Sequence, residues 1–174
     1  MYKNKIILIL FLMLCCAAFG YAQSFLGVEY GTPYDEAFKY WQEKYKENCK
    51  MSGDDIIIDY PTIGYCMFDY AVAHFSMKNG KSVFDGGSAF KDRTLNEAKK
   101  LLDEAKDLIN LIEEKYGTDT DLFFPEDGSM WLFFCKGKDD TWIGSLQFSM
   151  DQNKGTCTIQ YSYDRMIESP TDDL

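Results

Sequence analysis

Two short motifs recur in the same order along this chain. Glu-Lys-Tyr occurs at 43–45 and again at 114–116, and Phe-Ser-Met at 75–77 and again at 148–150. From Glu43 to Phe75 is 32 residues, and from Glu114 to Phe148 is 34. A single three-residue match is weak. Two matches in one order at nearly one spacing predict a duplicated unit. Each half must then hold the same succession of elements, which narrows the fold more than any other feature.

The segments around the motifs define those elements. Thr32-Pro33-Tyr34-Asp35 reads as a helix start, with threonine as cap, proline in the first turn and Asp35 as the acid of a capping box. Tyr34, Ala37, Phe38, Trp41 and Tyr45 follow at helical spacing, predicting a helix from about Pro33 to Glu47. Thr94-Leu95-Asn96-Glu97 is a second capping box. The stripe behind it, Ala98, Leu101, Leu102, Ala105, Leu108, Ile109, Ile112 and Tyr116, gives an amphipathic helix that ends at Gly117. Three strands follow each helix. The first unit has Ile56–Tyr60, a turn over 61–64, Cys66–Met77, an Asn79-Gly80 hairpin turn and Ser82–Phe90. The second has Met130–Cys135, a turn over 137–140, Trp142–Met150, a turn near Gln152-Asn153 and Thr156–Tyr163.

The expected fold class is α+β: two α-β-β-β units forming an antiparallel sheet of about six strands, with two helices on one face. Alternation assigns the faces. Trp142, Leu146, Phe148, Cys157, Ile159, Tyr161 and Tyr163 should lie under the helices. Ser145, Gln147, Ser149, Thr158, Gln160 and Ser162 should face water, with Tyr70, Val72 and His74 from the first unit. Asp69 shares the parity of Phe75, so a bulge is expected near Tyr70.

The ends and the charge bound where the protein acts. Lys3 and Lys5 precede an apolar run from Ile6 to Leu14 and a small-x-small pattern at Gly20-Tyr21-Ala22. This reads as a secretory signal peptide over 1–22, too short and wrongly flanked for a membrane anchor. Neither Cys15 nor Cys16 follows the small residues that lipidation needs. A single domain over 23–167 follows, with units of about 30–91 and 93–165, then an acidic tail over 168–174 expected to be disordered. The full chain holds 18 basic and 28 acidic residues, net −10. Such a surface repels phosphate backbones and anionic headgroups, so nucleic acid and membrane surfaces are not expected partners. No stretch after the signal is long and apolar enough to span a bilayer, so no membrane span is expected. Location is expected to be periplasmic or extracellular.

At this point the residues resemble known sequences. FLGVEYGTPYDEA, IDYPTIGYCMFDYAVAHFSM and a signal ending in Tyr-Ala-Gln resemble small exported proteins of Bacteroidota-type bacteria. The tandem helix-plus-meander plan is similar to the β-lactamase-inhibitor-protein-like fold and to small outer-membrane assembly lipoproteins. The resemblance implies a binding or scaffolding module, with an unknown protein or glycan of the cell envelope as partner.

Residue types that carry chemistry are sparse. His74 is the single histidine, on the polar sheet face, with Gln147 as its counterpart. Four cysteines outlast signal cleavage: Cys49, Cys66, Cys135 and Cys157. They are scattered without a Cys-x-x-Cys pair, so no zinc site is expected. Pairing the last hairpins about their turns sets Phe148 opposite Cys157 and Cys135 opposite Trp142. The two cysteines are then about 20 Å apart at 3.3 Å per residue, which excludes that bridge. Cys49–Cys66 stays open as a disulfide. Asp119, Asp121, Glu126 and Asp127 lack calcium-loop spacing and read as a solvated loop; Asp54-Asp55 and Asp139-Asp140 read as turns. Trp41, Trp131 and Trp142 fall on inward positions, where core packing outweighs sugar stacking. Gly86-Gly87 inside a strand reads as a bulge or close backbone approach. No cofactor is expected. The functional reading is a non-catalytic module that binds through its exposed sheet face, with Tyr70, His74, Ser145, Gln147 and Gln160 as the candidate contacts. The alternative is an envelope hydrolase acting on glycans or peptides.

Overall fold

The computed structural model describes residues 24–116, 120–123, 130–136 and 142–164, with side chains over 24–114 and 144–163. The expected signal peptide and tail, Gly117 and the turn expected over 137–140 lie outside the described residues. Two helices, α1 (Tyr34–Tyr45) and α2 (Ala98–Tyr116), pack on one antiparallel sheet. The strands after α1 are β3 (Cys49–Ser52), β4 (Asp55–Asp59), β7 (Tyr70–Lys78) and β8 (Lys81–Thr94). Those after α2 are β9 (Thr120–Phe123), β10 (Met130–Lys136), β11 (Trp142–Asp151) and β12 (Thr156–Asp164). Small hairpins β1 (Ser24–Phe25)–β2 (Val28–Glu29) and β5 (Thr62–Ile63)–β6 (Cys66–Met67) complete the chain.

The sheet has eight strands in the order β3-β4-β7-β8-β12-β11-β10-β9. The six strands expected from the sequence lie contiguously in the middle, and one further strand extends each edge. The halves meet where β8 pairs antiparallel with β12, from Thr94↔Thr156 to Gly86↔Asp164. Ser88 lies opposite Ser162 in that pairing. Counting outward from them, Val72 corresponds to Ser145, His74 to Gln147 and Phe75 to Phe148.

Local chemistry explains the turns. Asn79 and Gly80 both take positive φ (51° and 77°), as a two-residue hairpin turn with the right twist demands. The turn between β11 and β12 is longer than expected. The Asp151 carboxylate accepts the backbone N–H groups of Asn153 and Lys154, each at 3.0 Å, and Gly155 closes the loop with φ 68°. Those bonds hold the Asp151 carboxyl below its ordinary range. Met150, and not Phe148, therefore faces Cys157. The shift is two residues, so every side chain keeps its face.

Several local expectations change. The Thr32 hydroxyl donates to the Glu29 carbonyl (2.8 Å), so Pro33 holds the cap position of α1 with no side-chain bond. Thr94 and Glu97 do meet, but side chain to side chain at 3.0 Å, ahead of a 3₁₀ turn at Leu95–Glu97. The expected strand Cys66–Met77 breaks at Phe68-Asp69. The bulge falls at Asp85, opposite the His74–Phe75 step and next to Gly86. The turn expected over 61–64 sits at Gly64-Tyr65, and Asp55 opens β4 while Asp54 keeps the turn. Thr120–Phe123, expected as loop, pairs with β10 as an edge strand.

One face of the sheet is covered. Trp41 of α1 is fully buried, edge-on to Phe84 (5.6 Å) and Phe75 (6.5 Å). The β1–β2 hairpin inserts Phe25 above Gly87, where a Cβ would lie 2.4 Å from the ring; this is the close approach that the double glycine foretold. Phe25 also stacks on Phe84 and Tyr163 at about 6 Å. Leu101, Ala105, Leu108, Ile109 and Ile112 of α2 are buried with Leu146, Phe148, Ile159 and Tyr161 in the same core. Among the described residues no helix is long and apolar enough to cross a membrane.

Trp41→Ala removes the largest buried side chain of this core. It should lower the unfolding free energy by about 3–5 kcal/mol in urea denaturation. A loss below about 1 kcal/mol would mean that α1 does not dock as described.

Candidate functional site

The second face of the sheet carries no helix among the described residues. The strand registers set one residue from each central strand in a single row across it: Tyr70 on β7, Phe90 on β8, Gln160 on β12 and Gln147 on β11. All four are partly exposed. The Tyr70 and Phe90 rings stack at 4.9 Å with 18° between their planes, as side chains directly opposite on antiparallel strands do. The row spans three strand spacings, about 14 Å, with rings at one end and amides at the other.

A second row, two residues along, holds Val72, Ser88, Ser162 and Ser145. Ser88 and Ser162 are 8% and 7% exposed although no described helix covers them. Their hydroxyls share a hydrogen bond at 3.0 Å, and the Gln160 amide donates to Ser162 Oγ at 3.0 Å. Small side chains here keep the middle of the face low beside Phe90 and Gln160. Beyond the rings, Asp69 accepts the Asp92 backbone N–H (2.8 Å) and the Arg93 guanidinium (3.0 Å), and the Thr158 hydroxyl donates to Asp92 (2.5 Å). Partial burial raises the Tyr70 phenol above its ordinary range, with Asp92 and Asp69 adding to the effect. The phenol therefore stays a neutral donor at any physiological pH.

Of the five candidate residues, the fold brings Tyr70, Gln160 and Gln147 into one row and Ser145 into the next. His74 lies apart. It sits four residues along β7 from Tyr70, where Nδ1 is 3.1 Å from the Asp55 carboxylate at an exposed site. Sequence reasoning missed Phe90. Its parity was readable, but its place between Tyr70 and Gln160 depends on β8 pairing with β12, a contact between distant parts of the chain.

The cysteines do not form the bridge left open by the sequence. Cys49, Cys66 and Cys157 are free thiols. Cys49 lies in register with Ile58, Ala71 and Ala89, three strand spacings or about 14 Å from β8. Cys66 is on the β5–β6 hairpin, which turns over α2, and its sulfur is 3.8 Å from Lys91 Nζ of β8. Cys135 pairs with Gly144, so its row stays about six residues from Cys157, and that exclusion stands. Burial raises the Cys49, Cys66 and Cys157 thiols; for Cys66 the Lys91 charge offsets part of the rise.

In comparisons with known proteins, no family model matches the chain, and no curated protein matches it.

Iodoacetamide labelling at pH 8 checks the thiol assignment. Raised pKa values leave less thiolate than in a free peptide, and burial blocks access. Of these three Cys66 should react first, with Cys49 and Cys157 at least about tenfold slower than in the unfolded chain. A Cys49–Cys66 disulfide peptide, or Cys157 reacting at the unfolded rate, would contradict it.

Proposed function

We propose that this protein is an exported, non-catalytic binding or scaffolding module. It acts in the periplasm or outside the cell and engages a protein partner through the open face of its sheet. The observation that carries the reading is the row of Tyr70, Phe90, Gln160 and Gln147 on a face that no helix covers among the described residues. The row itself contains no charge, so its desolvation costs less than that of an ionic surface. Aromatic rings offer large contact area with few rotatable bonds, and the amides and hydroxyls supply orienting hydrogen bonds. The low serine strip beside the row leaves room for a partner's backbone to approach. His74, paired with Asp55, marks the margin of the surface.

The double variant Tyr70→Ala with Gln147→Ala removes an anchor at each end of the row. Neither side chain belongs to the buried core, so the variant should keep its circular dichroism spectrum. Recovery of the partner in a crosslinking pull-down from the envelope fraction should fall about tenfold or more, as for loss of an interface anchor. Unchanged recovery by a folded double variant would refute the sheet-face reading.

A further inference from the structure

The β5–β6 hairpin folds over α2 on the covered side of the sheet. Its tip is fixed there: Gly64 takes φ 61°, and a Cβ at that position would lie 2.0 Å from Leu111 Cδ2. Yet the hairpin leaves Tyr65 90% exposed and Met67 54% exposed. Large apolar side chains held in water beside a cavity are a mark of recognition. A cavity of about 300 Å³ opens between the hairpin and α2. Met67, Leu108 and Leu111 form its apolar lining, and Lys91, Glu104 and Asp107 give it charge.

The charges decide what it accepts. Lys91 is 7% exposed, and its ammonium is bonded to Glu104 and lies against the Cys66 sulfur. That cation is already paired with Glu104, so an incoming anion would have to displace the carboxylate. Glu104 keeps 30% of its side chain exposed. Asp107, three residues on along α2, is exposed and has no ion-pair partner among the described residues. One cation against two anions leaves the mouth negative, with the same sign as the whole chain, and steers cations toward it. An apolar wall ending in carboxylates fits an alkyl stem that carries a cationic head. The Tyr65 ring at the mouth offers a further contact for such a charge.

We propose that this cavity receives one lysine or arginine side chain presented by a partner protein. The stem lies against Met67, Leu108 and Leu111, and the charge faces Asp107 and Glu104. The volume suits a single side chain. A free amine would leave Tyr65 and Met67 in water, whereas residues flanking a basic anchor would cover them. This site is separate from the open sheet face, and either stands if the other fails.

Titration of ¹⁵N-labelled protein with acetyl-Leu-Arg-Leu-amide tests it. The backbone amides of 65–67 and 104–111 should shift saturably while that of Tyr70 stays still. Asp107→Asn, at an exposed position outside the core, should weaken binding about tenfold while changing the free spectrum only around residue 107. Acetyl-Leu-Glu-Leu-amide should cause no saturable shift. The proposal is overturned if the arginine peptide leaves these amides unmoved or if the glutamate peptide binds as well. It is likewise overturned if arginine amide alone saturates them at the same concentration, since the ligand would then be a free amine.

Discussion

The structure depends on the pairing of β8 with β12. Without it the chain would hold two four-stranded meanders, each with an exposed edge and one helix's worth of core. With it, a ladder from Gly86 to Thr94 closes both inner edges and makes one continuous sheet. An edge strand presents a row of unpaired N–H and C=O groups, and fusing two edges removes that liability at the centre. The pairing also fixes what lies beneath. Phe25 and Tyr30 reach across from the first half to stack on Tyr163 of the second, at 6.0 and 4.7 Å. The core is therefore shared between the halves.

The same ladder creates the asymmetry between the two faces. Positions of one parity are driven under the helices by their apolar surface, and the ladder carries that parity unbroken from β8 to β12. The opposite parity is left on the open side, where it collects rings from β7 and β8 and amides or hydroxyls from β11 and β12. Lys91 shows the strength of the constraint. Its parity sends it to the covered side, and its charge is tolerated there because Glu104 of α2 meets it.

Much of this was legible in the sequence because it rested on local patterns. Both helices, the six inner strands and the division of faces follow from periodicity. The Asn79-Gly80 turn follows from its two residues. What escaped depended on contacts or on unusual turns. The β1–β2 hairpin turns at Leu26-Gly27, with φ of 52° and 95°, and leucine there hides a turn that asparagine would have announced. Strand β3 reads Cys-Lys-Met-Ser, without an alternating apolar pattern, and takes its shape from β4. Strand β9 lies within an acidic stretch and exists through pairing with β10. The two-residue error in the last hairpin came from a turn held by the Asp151 side chain, and parity survived it. That the halves are copies of one unit remains our proposal. It is supported by the corresponding places of Phe75 and Phe148 and of His74 and Gln147 in the registers.

The central claim is that the open sheet face is a working surface. Hydroxyl-radical footprinting addresses it directly, with side-chain oxidation measured on the protein in intact cells that make it and again after purification. The account predicts that Tyr70 and Phe90 oxidise severalfold more slowly in the cells. Exposed Met77, beyond the two rows, should oxidise at one rate in both. Equal oxidation of Tyr70 and Phe90 in the two preparations would contradict the claim.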